Sequence, residues 1–212
     1  MMPRKRISMT QERFQGGLTW PDYVAKMKVN RERVTQLFEE IYLSAAERSA
    51  FAGAAARHGG KLHIAALVED WCGDVVVILP LIAHLAAEVP GMDLRLFGRA
   101  ASPDLAQAYA EEDILSIPVL SFFDSRWREV TRWVERSEAA HRRVQAWKAD
   151  HPQAEILRQS SQPEDRRAYK IMLKERLVEM IDWYRGGLWG STLEELESLL
   201  SGDSQDGRTG DT

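Results

Sequence analysis

Apolar positions in the first part of the chain recur every three or four residues, as they do on one face of a helix. The clearest such segment runs from Arg31 to Leu43 and is preceded by Asn30, a residue favoured at the N-cap. Ser44 and Glu47 then have the spacing of a capping box, which predicts an Ala-rich helix that ends at Gly59-Gly60. The pattern therefore predicts two consecutive helices before any strand.

The middle of the chain alternates between short apolar runs and longer helical patterns. Lys61 to Val68 is a largely apolar run of strand length, and a helical pattern follows from about Asp74 to Glu88. A second strand, Asp93 to Phe97, comes after a Pro-Gly turn signal. Trp20-Pro21-Asp22 indicates a further helix upstream, so we interpret residues 1–60 as an N-terminal helical extension.

A short helix and a hairpin follow. Ser102-Pro103-Asp104 predicts a helix start, because it places an N-cap residue, an N1 proline and an acid in order. Val119 to Phe123 and Glu129 to Val134 predict two strands joined by a hairpin-length loop, and Ser137 to Ala149 predicts another helix. The order β-α-β-α-β-β-α over residues 61–150 predicts an α/β fold with a central mixed sheet flanked by helices.

The C-terminal quarter is predicted to be mostly helical. A polar linker, Gln153 to Pro163, is expected before a long amphipathic helix from Glu164 to Arg185. A short helix from Ser191 to Leu200, opened by a Ser191–Glu194 capping box, is expected to complete a C-terminal helical extension over residues 151–201. Residues 202–212 contain no apolar side chain and are predicted to form a disordered tail.

Composition and charge limit the classes of function. The 212 residues include 28 Lys and Arg against 32 Asp and Glu, giving a net charge of −4, which argues against a general nucleic-acid binder. The longest apolar stretch, Val75 to Ala87, is too short to cross a membrane, and no targeting segment follows the basic residues Met1 to Arg6. The only cysteine, Cys72, cannot form a disulfide within the chain, so we expect a cytoplasmic protein with a reduced thiol.

The segment with chemical meaning is Trp71-Cys72-Gly73-Asp74, which lies between a predicted buried strand and a predicted helix. A cysteine at a helix start lies near unpaired backbone N–H groups and the positive end of the helix dipole, and both favour the nucleophilic thiolate. Asp74 acts in the opposite direction, because a nearby carboxylate makes a thiolate less favourable. No glycine-rich phosphate loop, paired metal ligands or other cofactor signature accompanies the cysteine.

These residues resemble the thioredoxin superfamily over Lys61 to Ala149. Trp71-Cys72-Gly73 looks like the start of the W-C-G-x-C active site, and Pro80 matches a helix-kinking proline of that superfamily. Ile117-Pro118 is similar to its I-P-T segment, whose proline is cis and faces the cysteine. More narrowly, the helical pair and the W-C-G-D segment resemble a bacterial group of "thioredoxin family" proteins that lacks the second cysteine.

The resemblance implies a site at Cys72, with Trp71, Gly73, Asp74, Ile117 and Pro118 lining the place where substrate binds. Val75 stands where a thioredoxin has its second cysteine, and Ala66 stands where it has a buried acid. An ordinary dithiol cycle within one chain is therefore excluded, and an external thiol would have to resolve any mixed disulfide.

Three functions remain open at this stage. The first is a monothiol enzyme that performs thiol–disulfide exchange or thiol-peroxide reduction, on a low-molecular-weight thiol or a protein disulfide. The second is a non-catalytic peptide or protein binding module on the same fold. The third, a cluster-bridged dimer of the monothiol-glutaredoxin type, resembles this chain less, because Trp71 and Asp74 depart from the C-G-F-S motif.

Other conspicuous residues favour structural interpretations. His84 lies on an apolar helix and is expected to be a core histidine rather than a ligand. A homodimer through the long C-terminal helix is an alternative to simple packing of its apolar stripe. A group of basic residues interleaved with acids predicts a solvated mixed-charge face or, alternatively, an anion site; it comprises Arg126, Arg128, Arg132, Arg136, Arg142, Arg143 and Lys148.

Overall fold

The computed structural model of the protein describes residues 7–202. Contacts between Cα atoms divide the described residues into two units. The first unit comprises the described residues up to Glu135 together with those from Leu193 onward, and the second is Arg136–Thr192.

A four-stranded mixed sheet lies at the centre of the first unit. Its strands are β1 (Leu62–Val68), β2 (Met92–Gly98), β3 (Val119–Asp124) and β4 (Glu129–Val134). The order is β2-β1-β3-β4; β1 pairs parallel with β2 and antiparallel with β3, and β3 pairs antiparallel with β4. All four strands are predicted from the sequence to within one residue at each end, and the α/β architecture with a mixed sheet flanked by helices is confirmed.

The helices of the first unit that precede the hairpin include a long buried one that follows β1. They are α1 (Gln11–Gln15), α2 (Trp20–Lys26), α3 (Arg31–Glu40), α4 (Ala45–Arg57), α5 (Gly73–Glu88) and α6 (Pro103–Ala110). Helix α5 is apolar on almost every side, and its residues from Asp74 to Ala83 are buried. A helix of this kind needs neighbours all round, which is why extra helices accompany the sheet.

One helix boundary near the N-terminus differs from the prediction. Asn30 occupies the predicted N-cap position of α3, although its backbone is left-handed, with φ 60°, and its side chain makes no cap hydrogen bond. Helix α3 ends at Glu40 instead of Leu43, because the backbone of Ile41 is extended. The Ser44–Glu47 capping box is confirmed, with both reciprocal hydrogen bonds formed.

The segment that leads into helix α2 is attached to the edge of the sheet. Leu18 forms an isolated antiparallel bridge with Leu96 of β2, with N···O distances of 2.9 Å in both directions. Gly17 lies so close to β2 that an added Cβ would come within 2.7 Å of the Phe97 ring. The close approach explains a glycine here, and it fixes the start of α2 relative to β2.

The second unit contains α7 (Glu138–Asp150), α8 (Gln153–Gln159) and α9 (Pro163–Trp183), followed by a π-helical turn, Tyr184–Leu188. The expected polar linker from Gln153 is wrong, because most of it forms α8. The expected capping box at Ser191 is also wrong, because α10 (Trp189–Ser201) begins directly after the π-helical turn and Ser191 lies inside it.

The predicted boundaries at residues 60, 150 and 201, between the two helical extensions, the central domain and the tail, remain predictions. The predicted tail beyond Gly202 and the basic segment Met1 to Arg6 lie outside the described residues. Among the described helices, none is both long enough and apolar enough to cross a membrane.

Candidate redox site

Cys72 occupies the N-cap position of α5. The turn that delivers it is closed by a hydrogen bond from the Cys72 N–H to the Glu69 carbonyl, at 3.2 Å, and the Cys72 carbonyl accepts from Val76 at 3.1 Å. The cysteine is partly buried. Its sulfur therefore lies at the positive end of a 16-residue helix, where negative charge is favoured.

The Ile117–Pro118 loop lies against the cysteine. The Ile117–Pro118 peptide bond is cis, and the Cys72 thiol donates a hydrogen bond to the Ile117 carbonyl with an Sγ···O distance of 3.5 Å. Pro118 is buried, and its carbonyl accepts from the Glu135 N–H at 2.8 Å. The structure thus brings together Cys72, Ile117 and Pro118, which are 45 residues apart along the chain.

Asp74 and Gly73 begin helix α5 beside the cysteine. Gly73 is the first residue of the helix and Asp74 is only 5% exposed. An acid in the first turn stabilises a helix, but a buried carboxylate two residues from a thiol opposes formation of a thiolate. The site therefore contains one feature that favours the thiolate and one that opposes it.

The turn between helices α2 and α3 holds the loop before the cysteine in place. The Asp70 carboxylate accepts hydrogen bonds from the Lys28 and Val29 N–H groups at 2.7 and 3.2 Å, and the Asn30 side-chain amide donates to the Asp70 carbonyl at 2.8 Å. We call this set of contacts the Asp70 clamp. The Asp70 clamp was not predicted from the sequence. No local sequence pattern indicates that a turn 40 residues upstream contacts the loop that precedes Cys72.

The other side of the same loop is attached to the segment after β2. The Glu69 carboxylate accepts from the Ala100 N–H at 2.7 Å, and the Arg99 guanidinium donates to the Leu115 carbonyl at 2.9 Å. Leu115 precedes the cis-proline loop by two residues. Contacts from two directions therefore fix the positions of both loops that meet at Cys72.

Exposed apolar side chains surround the site. Trp71 is 63% exposed and Leu115 is 64% exposed, and Val29, at the Asp70 clamp, is 46% exposed. A groove of about 510 Å³ runs beside Trp71 between Glu69, Arg99 and the side of α6 that carries Gln107. Of the sequence-predicted residues, Trp71 is thus exposed to solvent and does not pack in the core.

Tyr23 of α2 is a further residue near the site that the sequence did not indicate. It is 7% exposed, and its hydroxyl oxygen is buried without a hydrogen-bond partner among the described residues. Burial raises the pKa of Tyr23 well above its ordinary value, and electrostatic interactions with Asp70, Glu69 and Cys72 add to that effect. The hydroxyl is therefore neutral at physiological pH.

A buried ionic network supports the loop that carries Ile117 and Pro118. The Arg132 guanidinium binds Glu129 at 2.8 and 2.9 Å and Glu112 at 3.0 Å, and all three side chains are at most 11% exposed. Ser121 donates to Glu129 at 3.0 Å and shares a 2.8 Å hydrogen bond with Tyr109. The network joins β3 and β4 to the segment between α6 and the cis-proline.

Two structural interpretations made from the sequence, that His84 is a core histidine and that the basic residues form a solvated face, can be compared with the observed contacts. Both ring nitrogens of His84 are engaged, with Glu88 and with the Phe38 carbonyl, each at 2.6 Å, as expected of a core histidine. The expected solvated face is wrong at Arg132, which is 9% exposed and belongs to the ionic network. Among residues 7–202, no group of His, Cys, Asp and Glu side chains is arranged to hold a metal ion.

A mixed sheet whose interior strand leads into a cysteine at a helix start, opposite a loop with a cis-proline, defines a protein of the thioredoxin-fold class. The sequence gives the same result independently, because the family model described as Thioredoxin matches residues 17–148. The chain belongs to the thioredoxin family. The match begins at residue 17, so it includes α2, α3 and α4 as well as the sheet.

Solved structures are similar to this chain in fold. One is a 1.5 Å crystal structure of a protein of unknown function from Pseudomonas aeruginosa, with 17% identity and a TM-score of 0.59, over 92% of this chain and 99% of that one. Another is an HIV epitope scaffold, with 19% identity and a TM-score of 0.56, over 90% of this chain and 96% of that one. No curated protein matches the chain. These likenesses concern the fold alone.

Proposed function

We propose that the protein is a monothiol redox enzyme that uses Cys72 for thiol–disulfide exchange. The observation that carries the proposal is the position of the Cys72 sulfur at the start of α5, 3.5 Å from the Ile117 carbonyl, in a residue that is only partly buried. A substrate sulfur approaching along this side meets the nucleophile and a backbone segment at the same place. Such an arrangement can align an extended disulfide substrate for attack.

The exchange takes two steps. The Cys72 thiolate attacks one sulfur of the substrate disulfide; a new S–S bond forms to Sγ, the substrate S–S bond breaks, and the departing thiolate takes a proton from water. An external thiolate then attacks the substrate sulfur of the mixed disulfide, which forms a new external disulfide and returns Cys72 as a thiolate. The substrate disulfide gains the electrons that the external thiol loses.

The need for an external thiol follows from position 75. Val75 is fully buried where a resolving cysteine would stand, and the sequence contains no other cysteine. The same sulfur could also reduce a hydroperoxide: the thiolate takes the terminal oxygen to become a sulfenic acid, the alcohol leaves, and two external thiols restore Cys72 with release of water. We expect a low-molecular-weight thiol as the resolving partner.

Intact-mass measurement after incubation with oxidised glutathione tests the proposal. We expect one glutathionyl group on the native protein, its complete release by reduced glutathione, and turnover of hydroxyethyl disulfide when reduced glutathione is supplied. Cys72→Ser is the matched control and should show neither the adduct nor turnover. A parallel incubation with hydrogen peroxide and a sulfenic-acid trap tests the peroxide branch.

A non-catalytic peptide-binding module is the second candidate. The exposure of Trp71 beside the groove, and of Leu115 two residues before Ile117, favours it. The rate of iodoacetamide labelling at neutral pH separates the two functions. Labelling of the native protein at least as fast as of free glutathione supports the enzyme. Labelling only after unfolding, together with no glutathionyl adduct, would refute the enzyme and leave the binding module.

A further inference from the structure

The groove beside Trp71 contains two opposite charges, and neither has a counter-ion. Of the described residues that line this groove, Glu69 and Arg99 are charged, and the others are apolar or uncharged. Within residues 7–202 neither side chain forms an ion pair; each makes one hydrogen bond to a backbone group instead. The Glu69 carboxylate accepts from the Ala100 N–H, and the Arg99 guanidinium donates to the Leu115 carbonyl. Both charges are therefore available to a ligand.

The backbone fixes one charge to each of the two loops that meet at the sulfur. Glu69 belongs to the turn that delivers Cys72, which is closed by the 3.2 Å hydrogen bond from the Cys72 N–H to the Glu69 carbonyl. The Arg99 N–H donates to the carbonyl of the last residue of β1 at 3.0 Å. The Arg99 side chain is held by Leu115, two residues before Ile117, whose carbonyl is 3.5 Å from the sulfur. The groove is thus attached to the site on both sides.

Charge complementarity indicates which ligands suit this groove. An arginine fork has five N–H donors and binds carboxylates, and one of the Arg99 donors is in use; the Glu69 carboxylate suits an ammonium group. A ligand with one charge is attracted by one of these residues and repelled by the other, whereas a ligand with both charges is attracted by both. The exposed Trp71 indole adds an apolar contact surface, and about 510 Å³ is enough for a small molecule.

We propose that the groove selects dipolar disulfides, that is, amino-acid or short-peptide disulfides with a carboxylate and an ammonium on the same side of the S–S bond. The carboxylate binds Arg99 and the ammonium binds Glu69, which places the S–S bond toward Cys72. This inference deepens the proposed function and rests on it for the bond that reacts. It concerns binding and orientation and adds no chemical step. Glu69 and Arg99 are substrate-binding residues in this assignment.

Four small disulfides that differ in charge test the selectivity. Each half of cystine carries both charges; dithiodipropionate lacks the ammonium, cystamine lacks the carboxylate, and hydroxyethyl disulfide lacks both. The rate of mixed-disulfide formation on Cys72 is measured by intact mass at low ionic strength, where charge interactions are least screened. Each rate constant is divided by that of the same disulfide with mercaptoethanol, because the leaving thiols differ in intrinsic reactivity. We expect cystine to give the largest normalised rate constant.

Two substitutions in the groove should change this selectivity in different ways. Arg99→Gln should lower the cystine-to-cystamine ratio by roughly three- to tenfold, because the carboxylate loses a charged partner. Glu69→Gln keeps an acceptor for the Ala100 N–H and should lower the cystine-to-dithiodipropionate ratio by a similar factor. A displaced loop would alter the rates of all four disulfides together and leave both ratios unchanged, so the ratios separate binding from a structural role.

Arg126→Gln is the matched control. Arg126 is exposed in the turn between β3 and β4, at the opposite end of β3 from the cis-proline loop, and its substitution makes the same change of charge as Arg99→Gln. Both ratios should equal those of wild type. A ratio that stays at the wild-type value in either groove variant, or that changes equally in Arg126→Gln, would overturn the proposal.

A second measurement uses the wild-type protein and needs no reaction at Cys72. In diaminosuberate, suberate and hexanediamine, two methylene groups replace the sulfurs of cystine, dithiodipropionate and cystamine. Each is titrated into ¹⁵N-labelled protein and followed at the Trp71 indole resonance, which is assigned by its absence in Trp71→Phe. We expect diaminosuberate to bind more tightly than the other two, and equal or weaker binding would refute the inference.

The two measurements also separate the inference from the proposed function. Selective binding of diaminosuberate without a mixed disulfide from any of the four disulfides would support the groove assignment and remove the exchange reaction. Mixed disulfides that form with equal normalised rate constants would support the exchange reaction and remove the role of Glu69 and Arg99.

Discussion

The residue at position 75 determines which reactions Cys72 can complete, although the valine side chain is not itself reactive. Val75 is fully buried in the first turn of α5, three residues after the cysteine. Residues three apart in a helical turn have Cα atoms about 5 Å apart, within the range that a disulfide spans. The backbone at this site is therefore compatible with a disulfide between positions 72 and 75, and the pair is absent because position 75 is a valine.

Val75→Cys should consequently form a disulfide with Cys72 under mild oxidation and gain activity in insulin reduction with dithiothreitol. An internal thiolate can then resolve the mixed disulfide. Thiol titration and intact mass measure the disulfide, and Val77→Cys, on another side of the same helix, is the control that should form none. If the two cysteines stay reduced under mild oxidation, Cys72 does not occupy an open helix start. A disulfide without a gain in activity would favour the binding module.

Asp124 shows how a single carboxylate can make stability depend on pH. Burial would raise the pKa of Asp124, but hydrogen bonds from the Arg128 and Arg126 N–H groups and from the Arg128 guanidinium outweigh burial and hold it below its ordinary value. A depressed pKa stabilises the fold above the unfolded-state value and ceases to do so as pH falls through the folded-state value.

We therefore expect Asp124→Asn to reduce the free energy of unfolding by about 1–2 kcal/mol at pH 7, since hydrogen bonds to a charged acceptor are replaced by weaker ones. The difference from wild type should shrink as the pH falls below about 4, where the carboxyl becomes protonated in the unfolded chain. Urea unfolding at both pH values measures it. A difference that stays constant with pH would contradict the role given to the charge.

At the scale of elements, local pattern predicted the sheet well and the helical connections less well. The strands carry continuous apolar runs bounded by turn residues, and β4, Glu129–Val134, has the predicted bounds. Helix α8 was missed because its short segment is mostly polar and is ordered in part by Glu155 bonding to Arg158 and Gln159. The Ser191–Glu194 pattern failed because a capping box is a signal only where the preceding backbone is not already helical.

The buried ionic network of Arg132 with Glu129 and Glu112 leads to a prediction about the stability of the fold. Arg132→Leu should reduce the free energy of unfolding by about 3 kcal/mol, because it leaves the buried carboxylates of Glu129 and Glu112 without a counter-charge. Urea unfolding provides the measurement. Arg142→Leu, which removes an exposed ion pair with Glu138, should leave the urea midpoint near that of wild type. Equal effects of both variants would show that burial of the Arg132 pairs is energetically unimportant.

Across the whole molecule, the sequence was sufficient for the fold class and for the residues nearest the sulfur. Cys72, Ile117 and Pro118 could be placed together because a family pattern marks them. Tyr23 and the Asp70 clamp could not, because their positions depend on where α2 lies in space, and a helix pattern carries no information about its neighbours in the fold.

The C-terminal boundary of the fold can be tested by truncation. Removal of residues 203–212 should leave the melting temperature unchanged, since they contain no apolar side chain to repay the entropy of ordering, about 1–2 kcal/mol per residue. Removal from Leu200 onward should lower it, because Leu200 is buried, its carbonyl bonds to His58 at 3.0 Å, and Ser201 bonds to Arg57 at 2.8 Å. Differential scanning calorimetry compares the two truncations with the full chain. Similar melting temperatures for both would place the boundary before Leu200.

The valine at position 75 also has a kinetic consequence for the proposed cycle. In a dithiol site, the second cysteine resolves the mixed disulfide in a first-order step, and the rate of that step does not depend on the concentration of external thiol. Here release is bimolecular, so the lifetime of the mixed disulfide is inversely proportional to the concentration of free thiolate. At steady state, the fraction of chains carrying an adduct would therefore rise as the thiol supply falls. The fraction of chains carrying an adduct would therefore report the concentration of free thiol.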